Sequence, residues 1–188
     1  MPAPAPASAA PDTRYAWYVV GVLTLANVSG FLDRQVLSLL VPAIEHDLGI
    51  SDTQMSYLIG LSFSVFYTVL GLPIAWWADR GSRRAILVSG VTLWSVMTML
   101  SGLARSYGRL LLTRIGVGVG EATLNAPSVS LIADYFPRER VGLAMSVWSL
   151  GTFLGSGLAY FIGGWVVGAV TAMGAVRLPV SDGVAAGR

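Results

Sequence analysis

The sequence GLPIAWWADRGSRR occupies residues 71–84 and indicates the fold class of the chain. Here an uncharged stretch ends in Trp76 and Trp77, and Asp79 is then followed within five residues by three arginines. Apolar residues that end abruptly at an arginine cluster are typical of a transmembrane helix that emerges in the cytoplasm, because short loops that carry arginine resist translocation. An aspartate at this position is uncommon and points to a functional role for the junction.

The composition of the whole chain agrees with a membrane protein. Hydrophobic residues make up 54% of the 188 residues and charged residues only 12%, and the mean hydropathy is +0.67. Soluble proteins have about a quarter charged residues, so the sequence predicts an all-α integral membrane protein. A formal charge of +2 is small for a nucleic-acid-binding protein. With no cysteine and one histidine, His46, neither a metal site nor a cofactor is expected.

Five apolar blocks are long enough to cross a bilayer, which takes about 20 residues per helix. They comprise residues 17–44, 55–78, 85–104, 110–133 and 141–176. We therefore expect about five transmembrane helices. The last block is uncharged throughout, and we expect it to form one helix that continues to about residue 167. The predicted organisation is a flexible cytoplasmic leader at 1–14, a helix bundle at 15–167, and at 168–188 a tail or the beginning of a connection to a further helix.

The charges of the connecting segments predict the orientation. The first loop holds acidic residues and His46 but no arginine, whereas the loops after the second and fourth blocks are rich in arginine. Cytoplasmic loops are enriched in basic residues. We therefore expect the N-terminus and these two loops to be cytoplasmic, although Arg105 and Arg109 in the third loop favour the opposite orientation.

Four ionisable residues lie inside the predicted spans, where each costs about 2.5–3.5 kcal/mol on insertion scales. They are Asp33, Arg34, Arg114 and Glu121. One interpretation is that they form structural ion pairs within the bundle. The other is that Asp33 and Glu121 share a cavity and take up and release a proton, since a low-dielectric environment raises the affinity of a carboxylate for protons. The residues alone leave both interpretations open.

Residue spacing places some of these groups on one helix face. Arg114 and Glu121 are seven residues apart, or about two helical turns, and Asn125 continues their face at the next turn. Glycines at 116, 118 and 120, and at 151 and 155, predict close approach to neighbouring helices, because small residues at helix interfaces allow backbones to come together.

At this point the sequence resembles a known family. Residues 75–84, AWWADRGSRR, are similar to the G-x-x-x-D-R-x-G-R-R signature of the major facilitator superfamily, with Ala75 and Ser82 in place of its glycines. Arg114 with Gly118 resembles the arginine motif of its fourth helix. The segments FLDRQVLSLLVPAIEHDLGIS, LLLTRIGVGVGEA and LIADYFPRERVGLAMSVWSLGTFLGSGLAY are similar to the Spinster branch, known for proton-linked lipid transporters.

The resemblance implies a carrier of twelve helices in two six-helix halves, with a substrate cavity between the halves and alternating access. This sequence would supply most of the N-terminal half. The resemblance implies that Asp33 and Glu121 couple transport to protons and that Arg34 lies near the polar end of the substrate. It also implies that a cytosolic latch stabilises the outward-facing state, formed by Asp79, Arg80, Arg83 and Arg84. We further predict that Arg34 and Arg114 favour anionic substrates, with Asn125 as a third substrate-binding residue.

The sequence thus predicts a secondary transporter, or half of one, for a lipid-like or amphipathic organic anion in a bacterial inner membrane. Its expected partners are membrane lipids, the substrate, and the missing C-terminal half or another chain, with no nucleic acid. One alternative is a carrier for drugs or small organic acids, and another is a membrane interaction fragment that does not transport. An enzyme is not expected, because Gly60-Leu61-Ser62 has no plausible general base and there is no H-E-x-x-H motif.

Overall fold

The computed structural model describes residues 13–172, and this part of the chain is helical with no strand. A π-helical turn, Tyr57–Leu61, continues without a break from the short helix Asp52–Ser56 into the helix Ser62–Arg80. The helices are α1 (Thr13–Leu39), α2 (Val41–Leu48), α3 (Asp52–Ser56), α4 (Ser62–Arg80), α5 (Arg83–Gly102), α6 (Tyr107–Tyr135) and α7 (Arg138–Ala172). Most of the predicted leader and all of the tail after residue 172 lie outside the described residues.

The predicted fold class is confirmed. Four stretches of the described chain are long and apolar enough to cross a membrane: Thr13–Leu39, Asp52–Ala78, Arg83–Gly102 and Arg138–Val166. They correspond to the first, second, third and fifth predicted blocks. The fourth block forms α6, whose 29 residues extend over about 43 Å at 1.5 Å per residue. This helix is less apolar because it lies inside the bundle and buries thirteen residues, several of them polar or charged.

The structure corrects two predicted boundaries. The first block was expected to continue to residue 44, but α1 ends at Leu39 and Pro42 lies in the first turn of the separate helix α2. Proline has no backbone N–H and is favoured in the first turn of a helix, where Pro42 lies, although Pro73 and Pro127 lie inside α4 and α6. The acidic first loop is therefore largely helical. The fifth block forms one helix, as expected, but it continues to Ala172 instead of ending near residue 167.

Helix α6 packs along both α4 and α5, whereas α1 pairs with α7 and also contacts α6. Glycines mark the closest approaches, as predicted. A Cβ atom built on Gly120 would lie 2.6 Å from Cβ of Trp94 on α5, and one on Gly151 would lie 2.9 Å from the carbonyl oxygen of Thr24 on α1. These glycines fix the distances between the helices and thereby position the polar residues that lie between them.

Two apolar clusters leave a polar layer between them. One cluster joins α1, α5, α6 and α7 and includes Leu23 and Leu124. The other cluster joins α1, α2, α3, the π-helical turn and α6 and includes Leu37 and Leu110. Asp33 and Arg34 on α1, like Arg114 and Glu121 on α6, lie in sequence between the residues of the two clusters. The charged groups therefore occupy the middle of the bundle and not its ends.

Candidate functional site

The four ionisable residues of α1 and α6 form two crossed ion pairs. Nη1 of Arg114 donates to Oδ2 of Asp33 at 3.1 Å. Nε of Arg34 donates to Oε2 of Glu121 at 2.7 Å, and Nη2 of Arg34 donates to the same oxygen. Consecutive residues of α1 are thus paired with residues two turns apart on α6. The cluster carries no net formal charge, which reduces the cost of placing it inside the bundle.

The two pairs differ in their access to solvent. Glu121 has a side chain that is only 2% exposed, whereas its partner Arg34 is 34% exposed. In the other pair, Arg114 and Asp33 are 9% and 13% exposed. Two polar atoms of the cluster are buried without a hydrogen-bond partner among the described residues, namely Oε1 of Glu121 and Nε of Arg114. Arg34 is therefore the most accessible charge of the cluster and Glu121 the least accessible.

Three aromatic rings surround the guanidinium group of Arg34. Its Cζ lies 4.4 Å from the ring centroid of Phe63, 5.1 Å from that of Phe31 and 5.6 Å from that of Tyr67. Phe63 and Tyr67 are stacked, with centroids 5.5 Å apart. A cation within about 6 Å of a ring centroid is attracted by the electron-rich ring face. The rings hold Arg34 in place without neutralising its charge.

A cavity of about 280 Å³ opens beside Arg34 and Arg114. Its lining combines two guanidinium groups with neutral polar and apolar side chains, among them Gln35, Ser38, Phe63 and Ser64. Asp33 and Glu121 are not among the lining residues, so the charged groups that line the cavity are the two arginines. This arrangement suits an anionic ligand, because a guanidinium group can bind a carboxylate or a phosphate through two parallel hydrogen bonds.

Asn125 contacts the site indirectly, through a hydrogen bond to Tyr67 on α4. Its Nδ2 donates to the hydroxyl oxygen of Tyr67, whose ring lies near Arg34. Asn125 is exposed, unlike Arg114 and Glu121 on the same helix. It therefore borders the site from the side of α4 and does not take part in the α1–α6 ion pairs.

The predicted latch residues lie at the end of the bundle where α4 finishes and α5 begins. Arg83 donates to Oδ2 of Asp134 at the end of α6, and the guanidinium carbon of Arg80 lies 4.0 Å from the ring centroid of Trp76. Arg84 is exposed. The side chain of Asp79 lies outside the described part of the chain. The contact that the structure shows here is thus an ion pair between α5 and α6.

Sequence reasoning missed Phe63, Tyr67 and Asp134. The two aromatic residues are four apart, so they share one face of α4, and this spacing was visible in the sequence although no charge marked it. Asp134 follows directly on the fourth predicted block, in the loop that is rich in arginine. The predicted orientation already placed its loop on the same side as Arg83, and this could have suggested the ion pair.

The comparisons with known proteins agree with this architecture. Residues 23–176 match the profile of the Major Facilitator Superfamily. The MFS-type efflux pump of Mycolicibacterium smegmatis is 38% identical over 172 residues, which are 88% of this chain and 40% of that protein. Human protein spinster homolog 1 is 33% identical over 147 residues, which are 77% of this chain and 28% of that protein.

Solved structures of a Spinster homologue also resemble this chain. Two crystal structures of a bacterial homologue of the human lysosomal transporter Spinster, inward-facing and either unoccupied or occupied, match with TM-scores of 0.78 and 0.80. Their identities to this chain are 40% and 39%, over 81% and 86% of its length. The match covers 32% and 35% of the solved chains, so this chain spans less than half the length of the relatives that it resembles. The chain belongs to the Major Facilitator Superfamily, in its Spinster-like branch, and corresponds to the N-terminal half of that fold.

Proposed function

We propose that this chain provides the N-terminal half of a proton-coupled secondary transporter for organic anions that works by alternating access. The observation that carries the proposal is the Arg34–Glu121 ion pair, in which an accessible cation is bound to a buried carboxylate. Because this pair lies at the edge of a cavity lined by two arginines, the same cation can serve either the carboxylate or a bound anion.

The ion pair links proton binding to anion binding. A proton on Glu121 removes the negative charge that holds Arg34, so the guanidinium group becomes available to an anionic substrate. An anion at Arg34 conversely weakens the ion pair and favours protonation of Glu121. The two effects are equal in free energy, because coupling between two binding equilibria is reciprocal. Asp33, paired with Arg114, is the second proposed proton-coupling residue, and Asn125 contributes to substrate binding through its contact with Tyr67.

The substrate that we propose is a lipid-like or amphipathic organic anion. The aromatic rings around Arg34 offer an apolar surface beside the cation. Small organic acids and drugs are the second candidate class, and some relatives' names support small organic acids or export. These relatives are the efflux pump of Mycolicibacterium smegmatis and a probable L-galactonate transporter of Escherichia coli, which is 33% identical over 134 residues.

We propose a bacterial inner membrane location with the N-terminus in the cytoplasm. The ring of Tyr15 packs against that of Tyr135 with centroids 5.7 Å apart, so the beginning of α1 and the end of α6 lie at the same end of the bundle. Arg80 and Arg83 lie at the helix boundaries of that end too, whereas Glu45 and Asp52 lie at the other. This distribution follows the excess of basic residues that cytoplasmic loops carry.

The experiment uses the natural full-length protein in proteoliposomes with an imposed pH gradient. The probes are radiolabelled lysophosphatidylglycerol, galacturonate and a cationic dye, and proton movement is followed with an internal pH indicator. We expect gradient-driven flux of an anionic probe accompanied by protons. Asp33→Asn and Glu121→Gln should abolish the proton-driven flux, while Asp47→Asn and Glu139→Gln, at exposed positions, serve as controls.

Several outcomes would contradict this proposal. Normal pH dependence of flux in both Asp33→Asn and Glu121→Gln would show that the carboxylates do not couple transport to protons. Flux of the cationic dye alone would refute an anionic substrate. A natural protein that binds its partners but moves none of the probes would favour the alternative of a membrane interaction protein.

A further inference from the structure

The two carboxylate oxygens of Glu121 have different surroundings. Oε2 accepts both hydrogen bonds from Arg34, whereas Oε1 is buried and accepts none from residues 13–172. A buried polar atom is normally compensated by a hydrogen bond, and each exception requires an explanation. The ion pair with Arg34 therefore satisfies one half of the carboxylate and leaves the other half without a donor.

Position 30 on α1 lies close both to this carboxylate group and to Trp94 on α5. A Cβ atom built on Gly30 would lie 3.7 Å from Cδ of Glu121 and 3.5 Å from the six-membered ring of Trp94. Trp94 is itself buried. Gly30 has no side chain that could donate a hydrogen bond, and the ring edge of Trp94 that faces position 30 consists of carbon atoms. Position 30 is thus a place where a small side chain fits directly against Glu121.

We propose that Oε1 of Glu121 is the atom that takes up the proton, and that Gly30 is a positioning residue that keeps this oxygen free of hydrogen-bond donors. The inference rests on the proton-coupled function proposed above. In the step itself, a hydronium ion gives its proton to Oε1 and becomes water; the carboxylate loses its charge, while Arg34 keeps its own charge. A donor at position 30 would stabilise the ionised carboxylate and oppose this step.

Other charged groups face Glu121 from the surrounding helices, and they stay unchanged when position 30 is altered. Helix α1 contributes Asp33 and Arg34, α6 contributes Arg114, and α4 contributes Tyr67 beside Arg34. Helix α5 contributes Trp94, which does not titrate. The charged residues of α7 within the described range lie in its first turn, Arg138 to Arg140. A difference between two variants at position 30 therefore reports the group added there.

The test compares Gly30→Ser with Gly30→Ala in the natural full-length protein. Either Cβ atom would be in ordinary van der Waals contact with its neighbours, so both variants are expected to fold. Serine adds a hydroxyl group one bond beyond Cβ that can donate to Oε1, whereas alanine adds only the methyl group. Gly21→Ser is the control on the same helix, because nothing lies within 4 Å of a Cβ atom at position 21.

Two measurements are made on each variant. The first is the pH of half-maximal anion flux, which we expect to be lower by about one pH unit in Gly30→Ser than in Gly30→Ala, since a hydrogen bond to a charged group changes proton affinity by roughly tenfold or more. The second is the titration of the ¹³Cδ signal of Glu121 by solid-state NMR. The signal of Glu121 is assigned by its loss in Glu121→Gln.

The two measurements separate failure of the inference from failure of the proposed function. If the Glu121 signal titrates at the same pH in the serine and alanine variants, Oε1 does not face position 30 and the inference is wrong, even where transport depends on protons. If anion flux by the unmodified protein is insensitive to pH, the proposed function is wrong and this inference falls with it. The inference is supported if both the pH of half-maximal flux and the pH at which the Glu121 signal titrates are lower in Gly30→Ser than in Gly30→Ala and Gly21→Ser.

Discussion

Replacing Gly155 by alanine tests how the contact between α1 and α7 is made. A Cβ atom at this position would lie 2.5 Å from the carbonyl oxygen of Val28 and 2.8 Å from Cβ of Phe31. Ordinary contacts begin at 3.4 Å, so the helices would have to separate locally by roughly 0.9 Å, the difference between 3.4 and 2.5 Å. The obstacle is backbone and Cβ atoms, which cannot turn aside as the end of a long side chain could.

Gly157 on the same helix provides a matched control, because nothing lies within 4 Å of a Cβ atom built there. Both alanine variants gain about 0.5–1 kcal/mol from the better helix propensity of alanine. Only in Gly155→Ala is the contact between the helices overpacked, which typically lowers the stability by about 1–3 kcal/mol. The propensity gain cancels in the comparison, so Gly155→Ala should be less stable than Gly157→Ala by about 1–3 kcal/mol.

The assay is reversible unfolding in mixed micelles titrated with sodium dodecyl sulfate and followed by tryptophan fluorescence. Trp148 on α7 is a suitable reporter, since its backbone carbonyl accepts a hydrogen bond from Asn27 on α1. Equal free energies of unfolding for the two variants, or a more stable Gly155→Ala, would refute the conclusion that this glycine sets the distance between the helices.

Three further predictions concern the polar contacts. Phe63→Leu removes the ring whose centroid lies 4.4 Å from the guanidinium carbon of Arg34. It should raise KM for an anionic substrate by about 2- to 30-fold, the equivalent of a cation–π interaction of about 0.5–2 kcal/mol. An equal rise in KM for Phe66→Leu would contradict a specific role of the Phe63 ring. Arg34→Lys should weaken anionic substrate binding although the charge is kept, because lysine lacks the planar fork of arginine, and unchanged affinity would leave Arg34 a purely structural partner. A double-mutant cycle on Arg83 and Asp134, which are 28% and 59% exposed, should give a coupling energy of about 0.2–1 kcal/mol, and a value near zero would mean that this ion pair does not hold α5 to α6.

Much of the fold was predictable because the signals that specify membrane helices are local. Each span is a run of apolar residues about as long as the bilayer is thick. The arginines after residue 78 predicted a helix end, and α4 does end at Arg80. Boundaries were less predictable, because a proline marks the beginning of a new helix at Pro42 but lies inside a helix at Pro73 and Pro127.

The sequence by itself determined which charges lie in the interior, since Asp33, Arg34, Arg114 and Glu121 interrupt otherwise apolar spans. Only the tertiary structure decided how they pair. Arg34 meets a carboxylate 87 residues away and Arg114 meets one 81 residues away, and both pairings depend on the rotation and axial offset of α1 against α6. Those quantities are set by side-chain packing and by close glycine contacts between helices distant in sequence. No local pattern encodes them, and for the same reason only the structure separated the two oxygens of Glu121.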